Sequence, residues 1–133
     1  MSGSIIPTLR YRDAHAAIEF FQRALGFELV MLVEGQDGVV EHSQLKHGSG
    51  MVMVSNVRDN EWQKIVDDGR DPTGRGVNYV VVADPYAHAE HARSSGAEIV
   101  AEPEEQDYGG AVYTLRDPEG NIWSFGSYDP WAD

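Results

Sequence analysis

Two stretches of the chain, LGFELV at 25–30 and SGAEIV at 95–100, share a glycine, a glutamate and an apolar ending, seventy residues apart. Each follows a helical pattern. In DAHAAIEFFQRAL the residues Ala14, Ala17, Ile18, Phe21 and Leu25 fall on one face at helical spacing. In DPYAHAEHARSS, Asp84 is placed as an N-cap and Pro85 as the first helical residue. Gly26 and Gly96 are then placed as left-handed ends of their helices. A strand precedes each helix (IIPTLRYR, VNYVVVA) and three follow it. These are FELVMLVE, VVEHSQLKH and MVMVSN in the first half, and AEIVA, AVYTLR and NIWSFGSY in the second. The chain therefore spells β-α-β-β-β twice.

A half of about 60 residues cannot cover its own sheet well. The expectation is α+β: two βαβββ modules forming a curled half-barrel sheet around a central cavity, as one domain over 1–133. Module 1 runs over about 4–57, a connector over about 58–75 and module 2 over about 76–128. The connector VRDNEWQKIVDDGRDPTGRG is polar, with glycines and a proline, and a short helix is expected around Trp62 to Val66.

Composition excludes several partners. With 22 acidic and 10 basic residues the net charge is −12, a field that repels nucleic-acid phosphates and anionic lipid and attracts cationic small molecules. No run of apolar residues is long enough to span a membrane, and the N-terminus has no signal-peptide pattern. The absence of cysteine removes disulfides, thiolate metal sites and cysteine nucleophiles, and fits a cytoplasmic protein. There is no Gly-x-Ser-x-Gly elbow, phosphate-binding glycine loop or His-Glu-x-x-His helix.

The paired modules, with DAHAAIEFFQRALGF in the first and DPEGN before the last strand, resemble the vicinal oxygen chelate superfamily. That superfamily includes glyoxalase I, extradiol dioxygenases, fosfomycin-resistance enzymes and bleomycin-resistance proteins. The stretch HSQLKHGSGMVMVSN further resembles its PhnB-like and bleomycin-resistance-like branch. The resemblance implies two half-open sheets around a cavity and a homodimer. In its enzymes it also implies a divalent ion held by His, Gln or Glu, acting as a Lewis acid on two vicinal oxygens.

Carried over slot by slot, those ligand positions fall on Ile6, or Thr8 after a slip of two, in the first strand. In the fifth strand they fall on Val77 or Tyr79, in the fourth on Met53 and in the last on Ser124. None is a strong ligand, so no metal and no cofactor is expected. His88 and His91 on the second helix, and His15 on the first, read as solvated; His47 falls in a hairpin turn. His42 is the exception, because alternation puts it with Gln44 and Lys46 on the face opposite Leu45.

Alternation also gives a pocket lining. The expected ligand-binding residues are Thr8, Arg10, His42, Gln44, Tyr79, Thr114 and Ser124, with Trp62 of the connector as either an aromatic lid or a packed side chain. Trp123 and Phe125 fall on the opposite face, under the helices; Tyr128 and Trp131 read as edge or dimer packing. The expected function is a metal-free small-molecule-binding protein that sequesters a hydrophobic ligand, a cationic one being favoured by the acidic chain. The alternative is a divergent metal-dependent lyase, isomerase or dioxygenase of the same superfamily, with His42 at its centre. No catalytic residue is assigned. The partners expected are a small molecule and a second copy of the chain.

Overall fold

The computed structural model describes residues 3–67, 69 and 76–132. The chain divides into two units, one of Met1–Gln22 with Gly26–Arg75, the other of Arg23–Leu25 with Gly76–Asp133.

In the first unit, β1 (Thr8–Tyr11) leads into helix α1 (Ala14–Leu25). The Asp13 carboxylate caps the helix by accepting from the Ala16 amide at 3.0 Å, satisfying one of the donors a helix start leaves free. All five residues of the apolar stripe are buried. Gly26 ends the helix at φ 80°, where a Cβ would be strained. The chain continues as β2 (Glu28–Glu34), β3 (Val40–His47) and β4 (Gly50–Asn56). These four strands form a sheet in the order β1-β4-β3-β2, with β1 parallel to β4 and the other pairs antiparallel. Tyr11, Leu45, Val52 and Val54 are buried, and the Tyr11 ring meets Phe21 of α1 edge-on at 6.2 Å. A short helix α2 (Glu61–Val66) follows, as the connector pattern predicts. The connector residues 68 and 70–75 lie outside the described residues.

The second unit repeats the plan. β5 (Asn78–Val81), α3 (Pro85–Ser94), β6 (Glu98–Glu105), β7 (Ala111–Arg116) and β8 (Ile122–Gly126) give a sheet ordered β5-β8-β7-β6. Asp84 accepts from the amides of Tyr86 and Ala87, with Pro85 in the first turn. The repetition extends to hydrogen bonds. The Asn56 side chain accepts from the Val40 amide at 2.7 Å, and at the matching place Ser127 accepts from the Ala111 amide at 3.0 Å. Each side chain satisfies the donor that opens the third strand of its unit. The fold is thus α+β, two four-stranded sheets each with its helix.

Two details differ from expectation. The first and fifth strands are shorter than their apolar runs, so Ile6 and Val77 precede them and are exposed. His88 is not solvated. Its Nε2–H donates to the Leu25 carbonyl at 3.1 Å, its Nδ1 accepts from the Tyr113 hydroxyl at 2.6 Å, and its ring stacks on Phe125 at 4.5 Å. His91 is exposed as expected, with its Nε2 on the Arg23 carbonyl at 2.8 Å.

Candidate functional site

Strand alternation sends Tyr11, Ser43, Leu45, Val52 and Val54 of the first sheet to the buried face. Thr8, Arg10, His42, Gln44, Met53 and Ser55 go to the other. On that second face the pairing lines up one rung, Thr8 beside Met53, Met53 beside Gln44 and Gln44 beside Met31. Gln44 and His42, two residues apart on β3, touch directly, with the amide nitrogen of Gln44 donating to His42 Nε2 at 2.9 Å. That imidazole therefore serves as an acceptor to its neighbour. Among the described residues no carboxylate is hydrogen-bonded to it, the arrangement that would orient a general base.

The second sheet carries the matching rung, Tyr79 beside Ser124, Ser124 beside Thr114 and Thr114 beside Ala101. The Thr114 and Ser124 hydroxyls share a hydrogen bond of 2.8 Å. Tyr79 donates its hydroxyl to the Tyr128 carbonyl at 2.7 Å. Burial first, and the neighbouring Tyr108 second, hold that phenol above its ordinary range, which keeps it a donor.

These rungs test the metal slots implied by the resemblance. Thr8 and Tyr79 stand 71 residues apart, as do Met53 and Ser124, and each pair occupies the same register in its sheet. At those positions stand a hydroxyl, a thioether, a phenol and a second hydroxyl; the alternative register substitutes Ile6 and Val77. Three or four nitrogen or carboxylate donors are needed to hold a catalytic divalent ion. Among the described residues no three of His, Cys, Asp or Glu come together. The residues do not fit the ion.

A shallow pocket enclosing about 10 Å³, open to solvent, lies where β1, β4 and the connector meet in the first unit; Arg10, Ser55, Arg58, Asn60, Trp62 and Gln63 are among its lining. Parallel pairing sets Arg10 beside Ser55, so the chain leaving β4 folds past the end of β1. Asn60 caps α2 by accepting from the Gln63 amide at 2.8 Å, which fixes Trp62 and Gln63 at the rim. Two buried atoms here lack partners, Arg10 Nε and Gln63 Oε1. Leaving such a group unmet costs about 1–3 kcal/mol. The Trp62 side chain is 55% exposed.

The structure thus groups Thr8 with Gln44 on one rung, Arg10 with Trp62 in one pocket, and Tyr79, Thr114 and Ser124 on another rung; His42 and Gln44 do not line the pocket. Ser55, Asn56, Arg58, Asn60 and Gln63 are the members that sequence reasoning passes over. Parallel pairing of β1 with β4, which the repeat implies, would have pointed to the residues just after β4.

The model of the Glyoxalase/Bleomycin resistance protein/Dioxygenase superfamily matches residues 5–125. An uncharacterized protein of Mycobacterium bovis is 29% identical over 127 residues, covering 92% of this chain and 82% of its own. The crystal structure of TioX from Micromonospora sp. ML1 superposes with a TM-score of 0.71 at 26% identity, over 94% of this chain and 98% of TioX. A glyoxalase/bleomycin resistance protein/dioxygenase family enzyme from Burkholderia phytofirmans PsJN gives 0.73 at 18% identity, over 91% and 94% of the two chains, a likeness of fold.

Proposed function

Because the chain belongs to the Glyoxalase/Bleomycin resistance protein/Dioxygenase superfamily, we propose that it uses that fold to bind and sequester a small organic molecule without a divalent ion. One observation carries this reading: the matched rungs Thr8–Met53 and Tyr79–Ser124 hold no imidazole and no carboxylate. Three pairs of polar groups on these faces are engaged with one another or with backbone, Thr114–Ser124, Gln44–His42 and Tyr79–Tyr128. Such groups set the orientation of a ligand on an apolar surface.

The proposal includes a homodimer, supported by the exposed apolar residues Val30, Met31, Leu32 and Val33 of β2, the type of surface a partner covers. It includes a cytoplasmic location, which suits a cysteine-free chain. No helix of the described residues is long and apolar enough to cross a membrane.

The test is metal content of the purified protein, then titration with Ni²⁺, Zn²⁺, Mn²⁺ and Fe²⁺ read by thermal melting. A ligand that binds the native state raises the midpoint by mass action. No saturable rise is expected. A rise saturating at one ion per chain and abolished by His42→Ala would replace this reading with the metal-dependent enzyme.

A further inference from the structure

We infer that the pocket between β1, β4 and α2 is a recognition subsite for the carboxylate of a planar organic acid. This inference rests on the small-molecule-binding reading above and gives its ligand a chemical class. The charge of the pocket runs against that of the chain. Acids outnumber bases by 22 to 10, yet the lining contains two guanidiniums, Arg10 and Arg58, and no Asp or Glu.

Their isolation is the second observation. Lys46, Lys64, Arg93 and Arg116 each pair with a glutamate, and Arg12 and Arg23 also have partners. Among the described residues, Arg10 and Arg58 are the cations with neither a side-chain hydrogen bond nor an ion pair. In so acidic a chain, two arginines left unpaired at one pocket point to an anion from outside. Arginine suits a carboxylate because its planar fork can donate two parallel hydrogen bonds.

The rest of the lining narrows the class. Gln63 Oε1 is buried without a donor, and Arg10 Nε without an acceptor, in the same pocket. Both atoms are closed to solvent, so an acid with a nearby hydroxyl meets them once the two side chains swing outward onto it. Asn56 and Asn60 have their side chains committed to backbone groups and do not compete. Trp62 makes no ring contact with another described residue, so its face is open to stack on a planar ring. The enclosed space is about 10 Å³, far below the roughly 300–1,000 Å³ of pockets for drug-sized ligands, so it admits only a small polar end of a ligand, its acid group, and leaves the rest outside. A cationic ligand, expected from net charge, does not suit this subsite.

The test uses the whole chain labelled with ¹⁵N and five probes: benzoate, 3-hydroxybenzoate, neutral benzamide, cationic benzamidine and inorganic phosphate. Benzoate is expected to shift the Arg10 Nε–H and the amides of 55–63. The hydroxyl acid should bind more tightly, and benzamide at least tenfold more weakly. Arg10→Gln and Arg58→Gln should each weaken benzoate about tenfold without lowering the urea midpoint; Gln63→Leu should abolish only the advantage of the hydroxyl. Benzamidine binding in place of benzoate, or phosphate binding as well as benzoate, would overturn this inference and leave the small-molecule reading standing. No shift with any probe here, while a neutral aromatic binds the Tyr79–Ser124 face, would do the same. No binding of any small molecule to either face would remove both.

Discussion

His88 and Tyr113 hold a hydrogen bond of 2.6 Å whose direction is fixed by a third group. The Leu25 carbonyl can only accept, so the proton of His88 sits on Nε2 and Nδ1 is left to accept from the Tyr113 hydroxyl. One imidazole thereby joins α3, β7 and the last turn of α1. Tyr113→Phe is expected to cost about 1 kcal/mol, and His88→Ala about 2–4 kcal/mol because it also opens a gap beside Phe125. Urea unfolding of both variants and the double variant should show coupling of about 1 kcal/mol, and ¹⁵N spectra should show the Nε2–H tautomer. Additive losses would mean the pair is incidental.

Alkaline pH should act through the same tyrosine. Burial pushes the Tyr113 hydroxyl well above its ordinary value of 10.0. The folded chain thus keeps this proton where the unfolded chain releases it. That contribution is full below about pH 10 and is lost as pH rises from there toward the folded value, by up to about 1.4 kcal/mol per pH unit. Urea midpoints between pH 9 and 11.5 should fall more steeply for the wild type than for Tyr113→Phe. Parallel curves would refute this.

Asp117 organises the last turn. It is buried, and its carboxylate accepts from the amides of Glu119 and Asn121, the Asn121 side chain and the Trp123 indole N–H. Asp117→Ala should cost about 2–4 kcal/mol by leaving these donors unmet. Asp117→Asn should cost less, since one oxygen still accepts while its amide group faces the indole N–H. Near-ultraviolet circular dichroism of Trp123 and urea unfolding together check the order.

Gly126 gives room to Tyr79. A Cβ there would fall 2.4 Å from the Tyr79 hydroxyl and 3.0 Å from its ring carbon. Gly126→Ala should therefore push the ring aside, break its bond to the Tyr128 carbonyl and cost about 1–3 kcal/mol. Combining it with Tyr79→Val should recover part of the loss, read as a less than additive change in thermal midpoint. Full additivity would place the strain elsewhere.

The repeat made the fold legible because each signal was local. The Asp84 cap, the Gly26 and Gly96 stops and the two-residue alternation around Leu45 all appear as read. The slot positions were legible too, since matching spacing in the two halves sets Thr8 against Tyr79. His88 was not, because its partners lie 25 and 63 residues away in sequence and its own neighbours are alanines. The Arg10 pocket was half legible. Arg10 and Trp62 stood out singly, but only parallel pairing of β1 with β4 carries Arg58 and Gln63 to them.

Strand β2 is the outer strand of its sheet, and Val30, Met31, Leu32 and Val33 expose apolar side chains on both of its faces between Glu28 and Glu34. An outer strand offers its free backbone row to any other chain, and charge is one way proteins prevent such pairing. The surplus of acid is therefore also a guard against adhesion of β2 to chains other than the one proposed partner copy. It should fail when carboxylates are neutralised, so that turbidity on acidification would begin at β2 and be delayed by a lysine placed at Leu32.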